Sequence, residues 1–319
     1  MASWIAVSSL SHFPIQNLPF GIFSTQLLPS PRVGVAIGDY ALDLSVIGGA
    51  GLLDGLGFSA DVFQHSTLNA FMEQNRTHWR AARNRVGSLL ADGGDDRLRS
   101  DEKLCARALV PLADVTMHLP ATIGDYTDFY SSREHATNVG IMLRGIDNAL
   151  QANWLHLPVG YHGRASSVVI SGTDVNRPSG QLQADKDDPS KGSIFSACRL
   201  LDFELEMAFL LGGSSNAMGH PLTIADAEER IFGVVLMNDW SARDLQAWEY
   251  VPLGPFTAKN FATSISPWVV SLDALNPFRC EPSFGPVQKD PSPLPYLLDP
   301  EYSSGSYDVR LEVSRRASE

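Results

Sequence analysis

Basic residues are scarce in this chain of 319 residues, which has 24 lysines and arginines against 36 aspartates and glutamates and a formal net charge of −12. A protein that binds nucleic acid or an anionic membrane surface needs a basic stripe to hold phosphates. We therefore expect neither partner. Acidic residues in excess can instead cluster to bind a cation, so clusters of acidic residues in the sequence are candidate cation sites.

Cysteine and long apolar runs are also in short supply. The three cysteines, Cys105, Cys198 and Cys280, lie far apart and form no C-x-x-C pair, which predicts reduced thiols in a cytosolic protein. No apolar stretch approaches the ~18 residues of a membrane span. The first residues lack the basic start and apolar run of a signal peptide.

The local patterns predict two regions of different texture. The first contains a hairpin over Val33–Leu44, turning at Gly38-Asp39, and a helix over Thr77–Leu90. Later in the chain, short strands separated by glycine and proline turns predominate. We therefore predict a mostly β (α+β) fold, with one domain over residues 1–116 and a second over residues 117–319.

Three carboxylates alternate with apolar residues in the stretch Leu201–Leu211. At period two this pattern predicts a strand with Asp202, Glu204 and Glu206 on one face. The simpler interpretation is an acidic face in contact with solvent. We favour a cation site, because neighbouring carboxylates repel each other and are costly to bury alone.

A second group of polar residues follows a buried strand over Ile231–Asn238. Asp239 ends this strand, and a capping box at Ser241 and Asp244 predicts that a short helix follows. Arg243, Gln246 and Tyr250 share one face of that helix, beside Asp239, and Lys259 and Thr263 follow in a loop that could return over the same site. This set suits an anionic, oxygen-rich substrate, and the alternative is a solvated face with an ordinary ion pair.

A third group precedes and opens a helix earlier in the chain. Asp128 and Tyr130 come before a predicted capping box at Ser131 and Glu134, and His135 lies in the first turns. A histidine suits a general base, although a lone histidine is more often structural. Arg144 follows at the end of an apolar run. The chain has no G-x-S-x-G nucleophile motif and no zinc-like Cys/His set.

Several long blocks of this sequence resemble the fumarylacetoacetate hydrolase family. The blocks are Met117–Arg133, His135–Met142, Asn153–Ser167, Leu236–Asp244 and Trp248–Phe256. The resemblance implies a hydrolase that cleaves a carbon–carbon bond of 4-fumarylacetoacetate with water, in tyrosine and phenylalanine breakdown. It also implies an N-terminal SH3-like barrel, a mixed β-sandwich catalytic domain and a homodimer.

The resemblance further implies a role for each residue of the three groups. Calcium would be held by Asp128, Glu204, Glu206 and Asp239, and magnesium would share Asp239 near Lys259 and Thr263. His135 would be the general base. Substrate contacts would fall on Tyr130, Arg144, Gln246 and Tyr250, while Arg243, Gln246 and Lys259 would stabilise the leaving carbanion.

The last residues, Val313–Glu319, do not resemble the family. The family continues through a further part of the catalytic domain, which carries a glutamate that orients the catalytic histidine and a threonine that binds substrate. The resemblance therefore predicts a catalytic domain that is incomplete at its C-terminus. Two alternatives stay open: a non-catalytic chain that retains the metal residues, and a related 1,3-dicarbonyl hydrolase or decarboxylase.

Overall fold

The fold was obtained as a computed structural model, which describes residues 2–282, 288–300 and 302–316. Its strands are β1 Phe20–Thr25, β2 Arg32–Ile37, β3 Tyr40–Asp43, β4 Leu109–Pro111, β5 Val115–His118, β6 Thr127–Phe129, β7 Gly160–His162, β8 Val168–Ile170, β9 Ser179–Gln183, β10 Ser193–Ala197, β11 Leu201–Asp202, β12 Leu205–Leu211, β13 Ile231–Asp239, β14 Ser241–Ala242, β15 Thr263–Ile265, β16 Val270–Ser271, β17 Arg279–Cys280 and β18 Ser306–Tyr307. Its α-helices are α1 Leu44–Gly49, α2 Asn69–Met72, α3 Arg76–Leu90, α4 Glu102–Ala108, α5 Arg133–Arg144, α6 Ile224–Ala227, α7 Arg243–Glu249 and α8 Leu272–Leu275.

The first region forms a five-stranded antiparallel sheet in the order β4-β3-β2-β1-β5. The predicted hairpin is confirmed, because β2 and β3 pair with Ile37 opposite Tyr40. Gly38 makes the turn at a φ of +54°, a conformation that glycine adopts without strain. The predicted domain boundary at residue 117 lies within β5, which pairs with β1, and the boundary itself stays a prediction.

The predicted helix is confirmed as α3, and its apolar side enters the main core. Trp79, Ala82, Val86 and Leu90 are all buried there. The Trp79 ring meets Phe232 of β13 edge-on, with ring centroids 5.2 Å apart. Because Phe232 belongs to the second region, one hydrophobic core joins both parts of the chain.

The second region is built on a five-stranded sheet in the order β12-β13-β15-β8, with β16 also paired to β13. Strands β15 and β8 are parallel and the others are antiparallel. The strand predicted over Leu201–Leu211 is interrupted, since residues 203 and 204 separate β11 from β12. The fold is thus mixed and rich in sheet, which confirms the predicted fold class.

The two faces of this sheet differ in character. Val235 and Met237 of β13 point to the main core, and Asp239 continues that alternation to the end of the strand. The opposite face is apolar but open, with Phe209 49%, Leu211 65% and Leu236 53% exposed.

Within the described residues, no helix combines the length and apolarity needed to cross a lipid bilayer.

Candidate metal centre and active site

Four carboxylates from separate parts of the second region meet at one point. They belong to Asp128 in β6, Glu204 just before β12, Glu206 within β12, and Asp239 at the end of β13. One oxygen of each lies within 4.8 Å of the others. The structure therefore brings together all four residues that the sequence analysis named as calcium ligands.

Strand pairing explains why Glu204, Glu206 and Asp239 meet. Glu206 pairs with Met237 across the antiparallel β12–β13 ladder, so their side chains share one face of the sheet. Asp239 follows Met237 by two residues and therefore lies on that same face. The Asp239 backbone N–H donates to the Glu204 carbonyl (3.1 Å), and the Glu204 N–H donates to Asn238 Oδ1 (3.2 Å). These bonds fix both carboxylates at the end of the ladder.

Two cations face the cluster without neutralising it. The Lys259 ammonium donates to Glu204 Oε2 (2.5 Å) and to Asp239, and Arg243 Nη2 lies 2.7 Å from Glu204 Oε1. No cationic side chain among the described residues forms a salt bridge with Asp128 or Glu206. Four carboxylates and two cations leave a formal charge of −2, held in a largely buried site.

This surplus of negative charge appears in the protonation of the carboxyls. Burial and the charges of Asp128, Glu204 and Asp239 raise the pKa of Glu206 to about 9. Burial also raises the pKa of Asp239 to about 8, with Lys259 opposing the shift. Burial acts on Glu204 in the same direction, but hydrogen bonding to His135 and the charges of Lys259 and Arg243 hold its pKa below the ordinary value.

His135 lies at the edge of this cluster. Its Nε2 is 3.5 Å from Glu204 Oε1, and its side chain is 32% exposed, so solvent reaches the ring. The Tyr130 ring stands edge-on to the imidazole, with centroids 6.2 Å apart. Helix α5 begins one residue later than the predicted capping box implies, because Ser132, and not Ser131, accepts the His135 backbone N–H (3.2 Å).

Helix α7 places the buried Arg243 next to the partly exposed Gln246 on one side. Arg243 donates through Nε to Asp202 (2.8 Å) and through Nη1 to Gln246 Oε1 (3.0 Å). Tyr250 follows at the C-terminal end of the helix and is half-buried. The capping box predicted at Ser241 is wrong, since α7 has no side-chain cap and the Ser241 hydroxyl donates to the Asp239 carbonyl (3.1 Å).

The loop after α7 returns to the cluster, as its sequence suggested. Thr263 opens β15 directly opposite Asp239, and its hydroxyl lies 3.5 Å from Asp239 Oδ1. Glu249 holds the preceding loop by accepting from the backbone N–H of Thr257 (3.2 Å) and of Ala258 (2.7 Å). The loop thereby delivers the Lys259 ammonium into the buried site.

Three residues named from the sequence lie outside the carboxylate set: Asp202 pairs with Arg243, Tyr250 ends helix α7, and Arg144 makes its contacts elsewhere. The Arg144 guanidinium donates to the carbonyls of Asn148 (3.0 Å) and Ala149 (2.7 Å). Arg144 lies nine residues after His135 on α5, which corresponds to roughly 13 Å along the axis and the opposite side of the helix. Its contact with substrate stays a prediction.

Sequence reasoning missed two tyrosines. The Tyr161 hydroxyl donates to Asp239 Oδ2 (3.3 Å), and Tyr161 pairs with Asp128 across β6 and β7. Nothing in the local sequence around Tyr161 indicates this pairing. The position of Tyr126 could have been predicted, because it precedes Asp128 by two residues and residues two apart lie on the same face of an extended chain.

The donor set fits a hard divalent cation. All four converging groups are carboxylates, and oxygen ligands with surplus negative charge are what calcium and magnesium prefer in proteins. His135 with Glu204 and Glu206 forms a second, overlapping set. The residues present therefore suit a divalent metal held by oxygen ligands, with an imidazole at its edge.

Two family profiles and several curated proteins match this chain. Residues 16–120 match the family profile "Fumarylacetoacetase N-terminal", and residues 125–314 match "Fumarylacetoacetate (FAA) hydrolase C-terminal". Fumarylacetoacetase of Mus musculus is 57% identical over 98% of this chain and 72% of its own length, and that of Bos taurus is 56% identical with the same coverage. A solved fumarylacetoacetate hydrolase from Exiguobacterium antarcticum has 17% identity and a TM-score of 0.41, covering 80% of this chain and 67% of its own.

Proposed function

This chain belongs to the fumarylacetoacetate hydrolase family, and from that premise we propose that it hydrolyses a carbon–carbon bond of 4-fumarylacetoacetate to give fumarate and acetoacetate. The observation that carries the proposal is the buried cluster of four carboxylates with His135 at its edge. It supplies an oxygen site for a divalent metal and a proton acceptor within a few ångströms of each other.

We assign calcium to Asp128, Glu204, Glu206 and Asp239, since four carboxylates suit a large hard cation. When bound, the metal polarises the carbonyl under attack. Magnesium is assigned to the neighbourhood of Asp239 and Thr263. The charges of Asp239 and Glu204 raise the pKa of Lys259 against the effect of burial, and a protonated ammonium has no lone pair for a metal. Lys259 therefore acts there as a neighbouring charge.

His135 accepts the proton of the attacking water. Its partial exposure lets water reach the ring, and the contact between Nε2 and Glu204 limits the orientations of the imidazole. The water oxygen bonds to the carbonyl carbon next to the double bond of the substrate. The bond from that carbon to the methylene then breaks, and the electron pair leaves with the methylene carbon, delocalised onto the adjacent ketone oxygen as an enolate. The proton that His135 took from the water then passes to the methylene carbon, which completes acetoacetate and returns His135 to its starting state.

Arg243, Gln246 and Lys259 are assigned to the developing negative charge of this leaving group. Both cations are buried and already held by Glu204, so they are fixed before reaction, as electrostatic stabilisation of a transition state requires. Tyr130 and Tyr250 are assigned to substrate contacts, together with Gln246 and Arg144. Tyr130 is supported by its contact with His135.

The experiment that tests this function follows the loss of absorbance of fumarylacetoacetate in the presence of calcium or of a chelator. We expect fumarate and acetoacetate in equal amounts, with turnover that the chelator removes and calcium restores. A chain that binds calcium but leaves the substrate intact would contradict the proposal and support the non-catalytic alternative. Hydrolysis of other diketo acids in its place would support a related 1,3-dicarbonyl hydrolase.

We also propose a cytosolic homodimer. All three cysteines carry free thiols, which agrees with a reducing compartment. The open apolar face of the β12–β13 ladder, formed by Phe209, Leu211 and Leu236, is of the kind that a second subunit covers. Light scattering should give twice the mass of one chain, and Leu236→Glu should reduce it. A monomeric parent would contradict the assignment.

A further inference from the structure

The hydroxyl group of Tyr126 is buried and has no hydrogen-bond partner among the described residues. Buried polar groups in folded proteins are satisfied in the great majority of cases, so an unsatisfied one calls for an explanation. Its neighbour Tyr161 differs in this respect, because the Tyr161 hydroxyl already donates to Asp239. The Tyr126 hydroxyl is therefore available to a further group.

The chain keeps space for the Tyr126 ring. A Cβ atom on Gly163 would lie 2.2 Å from Cδ1 of the ring, so any other residue at this position would displace the Tyr126 ring. The Gly163 backbone N–H also donates to the Tyr126 carbonyl (2.8 Å), which fixes the two residues against each other. The position of the ring is thus built into the fold.

The surroundings of the hydroxyl are the carboxylate cluster itself. The carboxylates of Asp239, Asp128 and Glu206 and the side chain of Thr263 all lie near the Tyr126 hydroxyl. A tyrosine phenol is neutral at pH 7, since its ordinary pKa is about 10, and it can both donate and accept a hydrogen bond. A neutral phenol is a poor ligand for a hard cation but a good partner for an oxygen next to one.

We propose that Tyr126 is a positioning residue of the metal centre, whose hydroxyl hydrogen-bonds to an oxygen that the cation brings into the site, supplied by water when no substrate is present. The inference rests on the cation site of the proposed function and not on its reaction. It explains why a buried hydroxyl is kept beside three carboxylates, and why Gly163 is kept clear for its ring.

The test is Tyr126→Phe, measured for calcium affinity by calorimetry and for thermal stability with and without calcium. Groups that orient metal ligands typically contribute 10–100-fold in affinity, so we expect calcium to bind about 10–100-fold more weakly. In chelator the variant should be as stable as the parent or more stable, because the removed hydroxyl has no partner there. Tyr40→Phe, in β3 of the other sheet, is the matched control and should change neither quantity.

Two results would overturn the inference. Unchanged calcium affinity in Tyr126→Phe would show that the hydroxyl does not support the cation. A melting temperature that falls equally with and without calcium would mean a purely structural role. If the parent itself bound no calcium, both the metal assignment of the proposed function and this inference would fail. If the parent bound calcium and Tyr126→Phe bound it equally well, only this inference would fail.

Discussion

Glu206 should make the metal-free protein less stable as the pH rises from 6 to 8. Its pKa is raised to about 9 in the folded chain by burial and three neighbouring carboxylates, whereas an ordinary glutamate has a value of 4.5. Between these values the folded chain holds a proton that the unfolded chain has released. Stability therefore falls as pH rises through this window, because folding then requires proton uptake from a medium in which protons become scarce.

The size of the effect follows from the same linkage. Each pH unit inside the window costs about 1.4 kcal/mol per group. From pH 6 to pH 8, Glu206 alone should therefore reduce the free energy of unfolding by about 3 kcal/mol, or roughly 5 °C in melting temperature for a chain of this size. Asp239, whose pKa is raised to about 8, adds to the loss over much of this range.

The assay is thermal denaturation of the parent and of Glu206→Gln in chelator at several pH values from 6 to 8. Gln keeps the size of the side chain and removes the titrating group, so the variant should lose less stability than the parent as pH rises. In saturating calcium the parent should instead be more stable than Glu206→Gln, because the parent binds a cation that the variant holds weakly. Parallel pH curves for the two proteins in chelator would refute the reasoning.

Three further substitutions separate the roles assigned to the site. His135→Asn should lower kcat about 10²–10⁴-fold while calcium affinity stays within threefold, and His12→Asn, exposed and distant in sequence, is the control. Lys259→Met should lower the free energy of unfolding by about 3–5 kcal/mol at pH 8 in chelator, because it leaves buried carboxylates unpaired. The control is Lys103→Met, at an exposed position. An effect of Lys259→Met no larger than that of the control would reject this role. Arg243→Gln should lower kcat more than it raises KM, and the reverse split would restrict Arg243 to substrate binding; Arg99→Gln on the surface should do neither.

Regular spacing in the sequence was enough to predict several parts of the molecule. Helix α3 follows from its apolar periodicity, and the β2–β3 hairpin follows from two apolar runs joined by Gly38. The alternation of Glu204 and Glu206 on one face of a strand predicted two members of the cluster. These features depend on neighbours along the chain, so the chain itself carries the information.

Features that depend on distant partners could not be predicted from local patterns. Tyr161 reaches Asp239 because β7 pairs with β6, and no nearby residue indicates that pairing. The capping boxes failed for a related reason, since a serine hydroxyl bonds to whichever backbone group the fold presents. Ser241 lies in β14 and donates to the Asp239 carbonyl, so the N-terminus of α7 lacks a side-chain cap.

Calorimetric titration of calcium into the metal-free chain at pH 7, repeated in buffers of different ionisation enthalpy, tests the central claim most directly. The carboxyls of Glu206 and Asp239, with pKa values of about 9 and about 8, hold protons at this pH that a cation must displace. We predict calcium binding accompanied by proton release, and loss of both in the Glu204→Gln, Glu206→Gln double variant. Calcium binding without proton release, or equal affinity in the double variant, would contradict the account.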